Sequence, residues 1–344
     1  MTPIVLFGLP DDYPGACRES ADVALLWRAA GIPVTVLPCH PIKADNPWPQ
    51  RLDDAGCRIE LPSLTGKPPN WLRDCLIVDF QARRAVQCWH ELRRLGCKLI
   101  HVPCMNFTFD FERAAFRLDA PSAVVFQSEF QMQSVAMEYG SFGTPLDRHR
   151  LIRGAFDSTA FSFQPCERDA HFTVGVIGRD DPAKWPARIV SVLKAARKRM
   201  PTLRARFLGW TPAMQAHSGE LPRWINHSAP GSIPAADFLS QCHCLLAIPS
   251  CTENWSRIVL ESMAAGVPVV ADGRGGFFEQ VCHGETGFLA GNEQSAAECL
   301  LTLAEDEPLR LRIAKSARDS LCQIAPPEAI AEAWKGLFAE MLPC

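Results

Sequence analysis

The sequence lacks a strong charge of either sign, a long apolar run and a leader-like N-terminus. Its 344 residues carry a formal net charge of -3, so we expect no global field that attracts nucleic acid or an anionic membrane. No segment approaches the roughly 18 apolar residues that a membrane-spanning helix needs. The first residues enter an apolar strand pattern without the basic region and apolar core of a secretory signal. These features predict a cytoplasmic protein without a membrane span, and they leave its oligomeric state open.

The sequence also lacks a dinucleotide fingerprint and a disulfide framework. Gly175 and Gly178 end a predicted strand, but no predicted strand is followed by the pattern Gly-x-Gly-x-x-Gly. A dinucleotide site, and with it a dinucleotide-dependent oxidoreductase, is therefore not expected. The 15 cysteines are an odd number and are spread along the whole chain, which indicates reduced thiols.

The sequence does contain a regular alternation of short apolar runs and helical patterns, which is typical of parallel sheets covered by helices. The alternation occurs twice, and an irregular polar stretch at residues 156–170 separates the two blocks. This pattern predicts an α/β fold of two doubly wound, Rossmann-like domains facing a central cleft. We place the domains at residues 1–155 and 156–326, followed by a final helix at residues 327–344 that packs back toward the first domain.

The most informative segment is residues 249–270, which follow a predicted strand. Glu253 lies in the loop, and Glu261 lies one to two turns into the helix after it. The first turn of that helix presents backbone N–H groups and the positive end of the helix dipole, which together suit a diphosphate. A carboxylate can accept hydrogen bonds from a ribose diol or from sugar hydroxyls. The candidate ligands around the helix N-terminus are Asn254, Trp255, Ser256 and Arg257.

This segment resembles the Glu-x7-Glu region of family 4 retaining glycosyltransferases. The match continues through Gly273-Arg-Gly-Gly-Phe-Phe-Glu279 and through Gly284-Glu-Thr-Gly-Phe-Leu289. The resemblance implies a GT-B fold with a nucleotide-sugar donor bound in the C-terminal half. It also implies that Glu253 contacts the donor sugar and Glu261 the nucleotide ribose. The Gly-Phe-Gly that follows the first glutamate in the family is replaced here by Asn254-Trp255-Ser256.

A second element follows the predicted strand that ends near Ile177. Arg179 and Lys184 lie five residues apart in the loop, where a planar guanidinium and a compact ammonium both suit a diphosphate. The loop resembles the family's Gly-Arg-Leu-x-x-x-Lys-Gly, with Trp185 in place of the final glycine. The alternative is that Arg179 pairs with Asp180 or Asp181 and that Lys184 is a solvated loop charge.

The first half carries weaker signals. Gly15 lies in the first strand-to-helix loop, where its backbone could approach a phosphate or where it is an ordinary turn glycine. His101 lies within a predicted strand, and we expect it to be a packed strand residue. Asn106, Asp110 and Glu112 follow that strand and are candidate acceptor contacts. We also expect one helix over residues 83–95, and loops at residues 38–49 and 61–69.

The resemblance implies a metal-independent transferase that moves a sugar from a nucleoside-diphosphate sugar with retention at the anomeric carbon. The candidate catalytic residues are Arg179, Lys184 and Glu253. No Asp-x-Asp triplet, the metal signature of the other major glycosyltransferase fold, occurs in the sequence. The acceptor is left open between a glycan, a lipid, a small molecule and a modified nucleic acid. Two alternatives stay open: a GT-B relative that acts on nucleotide-sugars without transfer, such as an epimerase, and a nucleotide-sugar-binding protein that has lost catalysis.

Overall fold

The computed structural model describes residues 4–8, 16–39, 42, 46–60, 67–167 and 170–342. The chain divides into two compact units. Unit 1 comprises Met1–Phe156 and Ala325–Cys344, and unit 2 comprises Asp157–Ile324. In the part of the chain that is described, no helix has the length and apolarity needed to cross a membrane.

Short strands alternate with helices along the chain. The strands are β1 Ile4–Phe7, β2 Val34–Leu37, β3 Arg58–Ile59, β4 Leu76–Asp79, β5 Lys98–His101, β6 Ala123–Phe126, β7 His149–Leu151, β8 Phe172–Ile177, β9 Leu203–Leu208, β10 Ile225–Ser228, β11 Cys244–Ala247, β12 Val269–Asp272 and β13 Phe288–Ala290. The helices are α1 Ala16–Ala29, α2 Trp48–Asp54, α3 Arg83–Gln87, α4 Trp89–Arg94, α5 Asp110–Phe116, α6 Glu129–Ser141, α7 Arg188–Arg199, α8 Pro212–Ser218, α9 Ala235–Leu239, α10 Arg257–Ala265, α11 Phe277–Gln280, α12 Glu293–Glu305, α13 Glu307–Ile324 and α14 Pro327–Met341. Single 3₁₀ turns occur at Asn70–Leu72, Leu146–Arg148, Ser158–Ala160 and Pro182–Lys184.

Unit 1 is built on a sheet in the order β3-β2-β1-β4-β5-β6-β7, in which every pairing of neighbours is parallel. All four residues of β1, β4 and β6 are buried, as expected for strands covered by helices on both faces. The last helix, α14, belongs to this unit. Its Trp334 and Phe338 rings lie 5.0 and 5.1 Å from the ring of Trp27 on α1, in edge-to-face geometry.

Two sequence predictions for unit 1 are wrong in detail. The helix expected over residues 83–95 is divided at Cys88, which ends α3 with ψ near 0° and precedes α4. The stretch 38–49, expected to be a loop, already contains the start of α2. Its Pro49 lies in the first turn of that helix, where the missing N–H costs no helical hydrogen bond.

Unit 2 is built on a second parallel sheet, in the order β10-β9-β8-β11-β12-β13. The strand order reverses between β8 and β11, which pair through Cys244 with Val174 and Leu245 with Gly175. Helices α7 and α12 supply much of the core on one face through residues such as Leu193 and Leu300. Chain segments that follow β8 and β11 therefore leave the same edge of the sheet at its topological switch point.

A charged network is buried in the core of unit 1, at the carboxyl ends of β4 and β5. The ring nitrogens of His101 lie 2.9 Å from Asp79 Oδ2 and 2.9 Å from Glu112 Oε1. All three side chains are inaccessible to solvent. The Tyr139 hydroxyl donates to Glu112 Oε1 over 2.6 Å, and the Gln81 amide donates to Glu112 Oε2 over 2.8 Å. The network ties two strands to α5 and α6.

These contacts settle two expectations about the first half. His101 is a packed strand residue with satisfied ring nitrogens, as expected. Glu112, expected to be a candidate acceptor contact, is fully buried and also accepts a hydrogen bond from the Phe109 amide at the start of α5. That expectation is wrong, because the helix points Glu112 inward to the histidine. Asp110 on the same helix is exposed and stays a prediction.

The network fixes the protonation of His101. Burial alone lowers the pKa of the imidazole, but Asp79 and Glu112 outweigh it and raise the pKa from 6.5 to about 10. A group whose pKa is raised by folding contributes stability that is complete below its unfolded pKa and is lost as pH rises through the folded value. The stabilisation by His101 is therefore complete below pH 6.5 and declines as the pH rises toward about 10.

We expect His101→Ala to lower the unfolding free energy of unit 1 by about 3–5 kcal/mol near pH 6, because it leaves two carboxylates buried without their cation. His90→Ala is the matched control, since His90 also contacts an aspartate, Asp119 at 2.7 Å, but its side chain is 56% exposed. The control should change stability by less than about 1 kcal/mol. Chemical denaturation at pH 6 and pH 9 measures both, and the deficit of His101→Ala should shrink at the higher pH. Equal effects of the two variants would contradict the assignment.

Candidate functional site

Two loops meet at the carboxyl edge of the second sheet, at its switch point. One comprises residues 178–187, between β8 and α7, and the other comprises residues 248–256, between β11 and α10. They are joined by the Ser250 amide, which donates to Ala183 O over 2.8 Å, and by the Ser250 hydroxyl, which donates to the same carbonyl over 3.1 Å. The two segments that the sequence singled out separately therefore form one surface.

The first loop is fixed by a buried tryptophan. Trp185 is 1% exposed, and its indole N–H donates to Arg179 O over 2.8 Å. Gly178 leaves room for the ring, because a Cβ there would lie 2.9 Å from Trp185 Cε2. The backbone from Gly178 to Trp185 thus curves around the indole and turns Arg179 and Lys184 away from the core.

The cations of this loop are paired with carboxylates. Arg179 donates through Nε and Nη2 to Asp181 Oδ2 at 3.1 and 2.9 Å, so the alternative pairing with Asp181 holds in this structure. Burial raises the pKa of the Asp181 carboxyl, but the Ala183 amide, Arg179 and Lys184 outweigh it and hold that pKa below its usual range. Lys184 Nζ forms an ion pair with Glu253 Oε1, and both side chains are about one-fifth exposed. Lys184 is therefore not a solvated loop charge.

The second loop places Glu253 between the cation and a thiol. The Cys251 Sγ lies 3.7 Å from Glu253 Oε1, and burial is the main cause that raises the pKa of this thiol. The backbone carbonyl of Glu253 accepts the Gly276 amide at 2.8 Å, which attaches the loop to the segment after β12. Two of the sequence-predicted catalytic residues, Lys184 and Glu253, are thus in direct contact, and Arg179 lies in the same loop as Lys184.

The start of α10 differs from the expectation at Ser256. Its amide donates to Gln280 Oε1 over 3.0 Å, and Gln280 Nε2 returns a bond to Ser256 O over 3.0 Å. The Ser256 N–H is therefore already bonded within the protein and is not aimed at a diphosphate. Asn254, Trp255 and Arg257 are all buried, so that mainly their backbones could face a ligand.

Glu261 is the fifth residue of α10 and is partly exposed. The helix ends at Gly266 in the left-handed conformation, with φ of 82°, as the sequence predicted. Glu253 and Glu261 thus flank the N-terminal turn of α10, one in the loop before it and one a single turn beyond it. Gly15, the candidate from the first half, lies outside the described residues.

Known proteins are similar to this chain in the part that holds the two loops. The family model described as Glycosyl transferases group 1 matches residues 157–320, which is nearly the whole of unit 2. The match covers slightly less than half of the chain, and in these residues the chain is similar to group 1 glycosyl transferases. The resemblance to family 4 that the motifs carried is confirmed at this level.

Curated relatives match the same part of the chain. A D-inositol 3-phosphate glycosyltransferase of Stackebrandtia nassauensis is 30% identical over 168 residues, which are 44% of this chain and 38% of that protein. The match thus spans less than two-fifths of the relative's own length.

Solved structures match the whole chain in fold. HepE of Anabaena, in complex with UDP-glucose, has a TM-score of 0.75 and 19% identity, covering 98% of this chain and 99% of its own. Sucrose-phosphate synthase of Thermosynechococcus elongatus has a TM-score of 0.69 and 17% identity, and 99% of each chain is covered. The two parallel-sheet units are those of the GT-B fold.

Unit 2 holds charged residues at this edge to which the sequence analysis assigned no role. Asp272 ends β12 and binds two guanidiniums, Arg188 Nη2 at 2.7 Å and Arg274 Nη2 at 2.5 Å. The signal in the sequence was a carboxylate at the end of a predicted strand, followed by an arginine between glycines. Neither residue type is distinctive at such a position, so the pattern alone could not select them.

Unit 2 also contains a close approach of two backbone segments, which a glycine permits. A Cβ on Gly276 would lie 1.6 Å from Asn254 O, although the glycine has an ordinary φ of -65°.

We expect Gly276→Ala to push the two loops apart, to lower the stability of unit 2 by about 1–3 kcal/mol and to weaken donor binding. Gly291→Ala is the matched control, because a Cβ there meets no atom within 4 Å. Thermal unfolding and nucleotide binding of both variants test this, and a Gly276→Ala protein that behaves like the control would contradict it.

Proposed function

We propose that this protein transfers a sugar from a nucleoside-diphosphate sugar to an acceptor, with retention at the anomeric carbon. The observation that carries the proposal is the direct contact of Lys184 with Glu253 at the switch point of unit 2, in the part of the chain that is similar to group 1 glycosyl transferases. In doubly wound sheets, ligands bind at this place. The contact joins a cation suited to a phosphate with a carboxylate suited to sugar hydroxyls.

In this proposal the cations act on the leaving group. When the bond from the anomeric carbon to the diphosphate oxygen breaks, negative charge grows on the diphosphate. Lys184 and Arg179 are placed to stabilise that charge. Lys184 is only about one-fifth exposed, so water screens its charge less than in bulk. The carboxylates Asp181 and Glu253 hold the two cations in place without a ligand. We further propose that no divalent ion is needed, because these side chains supply the positive charge.

We propose uridine diphosphate as the nucleotide of the donor. The support is the likeness in fold to HepE, which binds UDP-glucose. A panel of UDP-, GDP-, ADP- and TDP-sugars in a thermal-shift assay tests this choice. A ligand present at 100 times its dissociation constant should add about 2.7 kcal/mol of stability.

The two glutamates have separate parts in the proposal. Glu253, in contact with Lys184, faces the group that Lys184 binds and holds hydroxyls of the donor sugar. Glu261 lies on the helix one turn past its start, beside the bound diphosphate, where its carboxylate accepts hydrogen bonds from the ribose. The nucleotide and the sugar are therefore read by different carboxylates.

We expect Lys184→Ala and Arg179→Ala each to lower turnover by about a hundredfold, since each leaves growing diphosphate charge uncompensated. The assay uses the donor chosen by the panel in the presence of a chelator, in which the unaltered protein should keep its turnover. Lys194→Ala is the control for Lys184, because Lys194 is an exposed lysine on α7 of the same unit. Full turnover in both site variants would refute the phosphate assignment, and loss of turnover in chelator, restored by magnesium or manganese, would refute metal independence.

We expect Glu261→Ala to weaken the free nucleoside diphosphate by about 1.5–3 kcal/mol, because one charged acceptor for the ribose diol is lost. Glu253→Ala should leave the affinity for the free nucleotide nearly unchanged and weaken steps that depend on the sugar. Calorimetric titration of UDP into both variants separates the two roles. If Glu253→Ala loses UDP while Glu261→Ala keeps it, the placement of the two carboxylates is reversed.

A further inference from the structure

The arginines that share Asp272 are held very differently. Arg188 is the first residue of α7 and donates to three acceptors: Ile248 O over 3.2 Å, Pro249 O, and Asp272 Oδ2 over 2.7 Å. Two of these acceptors are the first two carbonyls after β11, so Arg188 holds the start of the loop that contains Glu253. Its role is accounted for by the contacts that it makes.

Arg274 is less well satisfied. It donates through a single nitrogen, Nη2, to Asp272 Oδ2 over 2.5 Å and to Pro249 O over 2.9 Å. Its Nε is buried and has no hydrogen-bond partner among the described residues. A buried donor without an acceptor costs about 1–3 kcal/mol. The side chain is nonetheless 41% exposed, against 31% for Arg188, so its guanidinium reaches the surface of the site.

The shared carboxylate makes Arg274 the easier of the two to re-pair. Two guanidiniums on one carboxylate oxygen repel each other, and that repulsion falls if one of them finds a second anion. Arg188 alone can neutralise Asp272. Arg274 lies between Gly273 and Gly275, so neither of its neighbours in the chain has a side chain that would hinder a change of the arginine rotamer.

The segment of Arg274 adjoins the candidate donor site directly. The Gly276 amide donates to the carbonyl of Glu253 over 2.8 Å, and Arg274 itself bonds to Pro249, four residues before Glu253. Lys184 contacts Glu253, Glu253 contacts Cys251, and Arg274 bonds to a carbonyl two residues before Cys251. A donor held by Lys184 and Glu253 would lie within reach of this guanidinium.

We propose that Arg274 is a donor-binding residue whose guanidinium binds an oxyanion of the nucleotide-sugar, while Asp272 positions it and Arg188 keeps Asp272 neutralised. The inference rests on the proposed function and adds a third cation to the two that the family motif supplies. The planar fork of arginine suits either a diphosphate oxygen or a carboxylate carried by the sugar. Both sources share this chemistry, and the experiment separates them.

The test is calorimetric titration of UDP, UDP-glucose and UDP-glucuronate into the full chain and three variants. Arg274→Ala should weaken UDP about tenfold or more, and Arg274→Lys, which keeps the charge but not the fork, should recover part of the affinity. Arg199→Ala is the matched control, since Arg199 is an arginine of the same unit whose exposed side chain pairs with Glu298 at 2.6 Å. It should bind all three ligands as the unaltered chain does. The thermal midpoint of ligand-free Arg274→Ala should stay close to that of the unaltered chain, because Arg188 still holds Asp272.

The outcomes separate the proposals. Equal loss for all three ligands supports the diphosphate as the partner, and loss confined to UDP-glucuronate supports a sugar carboxylate. Unchanged affinity of Arg274→Ala for all three ligands would overturn the inference while leaving the proposed function standing. If Arg274→Ala lowers the thermal midpoint and Arg274→Lys recovers none of the affinity, Arg274 has a structural role only. That result would also overturn the inference. If the unaltered chain binds none of the three ligands, the uridine donor itself is refuted, and the inference with it.

Discussion

Parallel pairing is the constraint on which the rest of this structure depends. Because every paired strand in each sheet runs the same way, the segments that follow the strands all leave at one edge. The strands β1, β4, β6, β11 and β12 are buried along their whole length and consist mainly of apolar residues. Charged side chains are therefore concentrated at the carboxyl edges: Asp79 and His101 in unit 1, and Lys184, Glu253 and Asp272 in unit 2.

The two units use that edge in opposite ways. In unit 1 the charges are inaccessible to solvent, and each carboxylate oxygen or ring nitrogen of the network is matched within the protein. Removing one member of such a network destabilises the protein strongly, because it leaves a buried charge without its partner. The network therefore stabilises the fold and is not accessible to a ligand. In unit 2 the ion pairs are partly exposed, and exposed pairs are weak. Weak pairs can be exchanged for a ligand at little cost, which is what a binding site requires.

Sequence reasoning could predict the strands and the chemistry of the donor motif, because both depend on local patterns. The apolar pattern predicted a strand that ends near Ile177, where β8 ends. The Glu-x7-Glu segment predicted that Glu253 lies in a loop and Glu261 on the helix after it, as the structure has them. Sequence reasoning could not predict whether a carboxylate that follows a strand faces the solvent or the protein interior. Glu112 was expected to face a ligand, but it is turned inward by α5 to a histidine eleven positions earlier, and only the packing of that helix decides this.

The hydrogen bond of the Ser256 amide could not be predicted either, because it also depends on packing between distant parts of the chain. A helix start predicts N–H groups without helical acceptors, but not whether a distant side chain takes one of them. Gln280, 24 residues later, does so through a pair of reciprocal bonds. Arg188 and Asp272 are a similar case, since 84 residues separate them and the contact arises from strand order. Contacts between residues so far apart in the chain depend on tertiary packing, and the residues next to each partner in the sequence carry no signal of them.

The departures from the family pattern show how such a site can keep its form with different residues. The family has a glycine after the lysine of this loop, and a glycine has no side chain to bury. Trp185, which stands at this position here, must bury a large indole ring in the core. The structure supplies it on the inner side of the loop, where the indole packs against Phe207 and Trp210 with ring centroids 5.3 and 5.4 Å away. Its N–H then donates to the carbonyl of Arg179, which also accepts the Asp181 amide at 2.8 Å. A glycine would give the backbone after Lys184 more conformational freedom, whereas the packed indole restricts it. We therefore infer that the loop that carries Arg179 and Lys184 is more rigid here than it would be with a glycine at position 185.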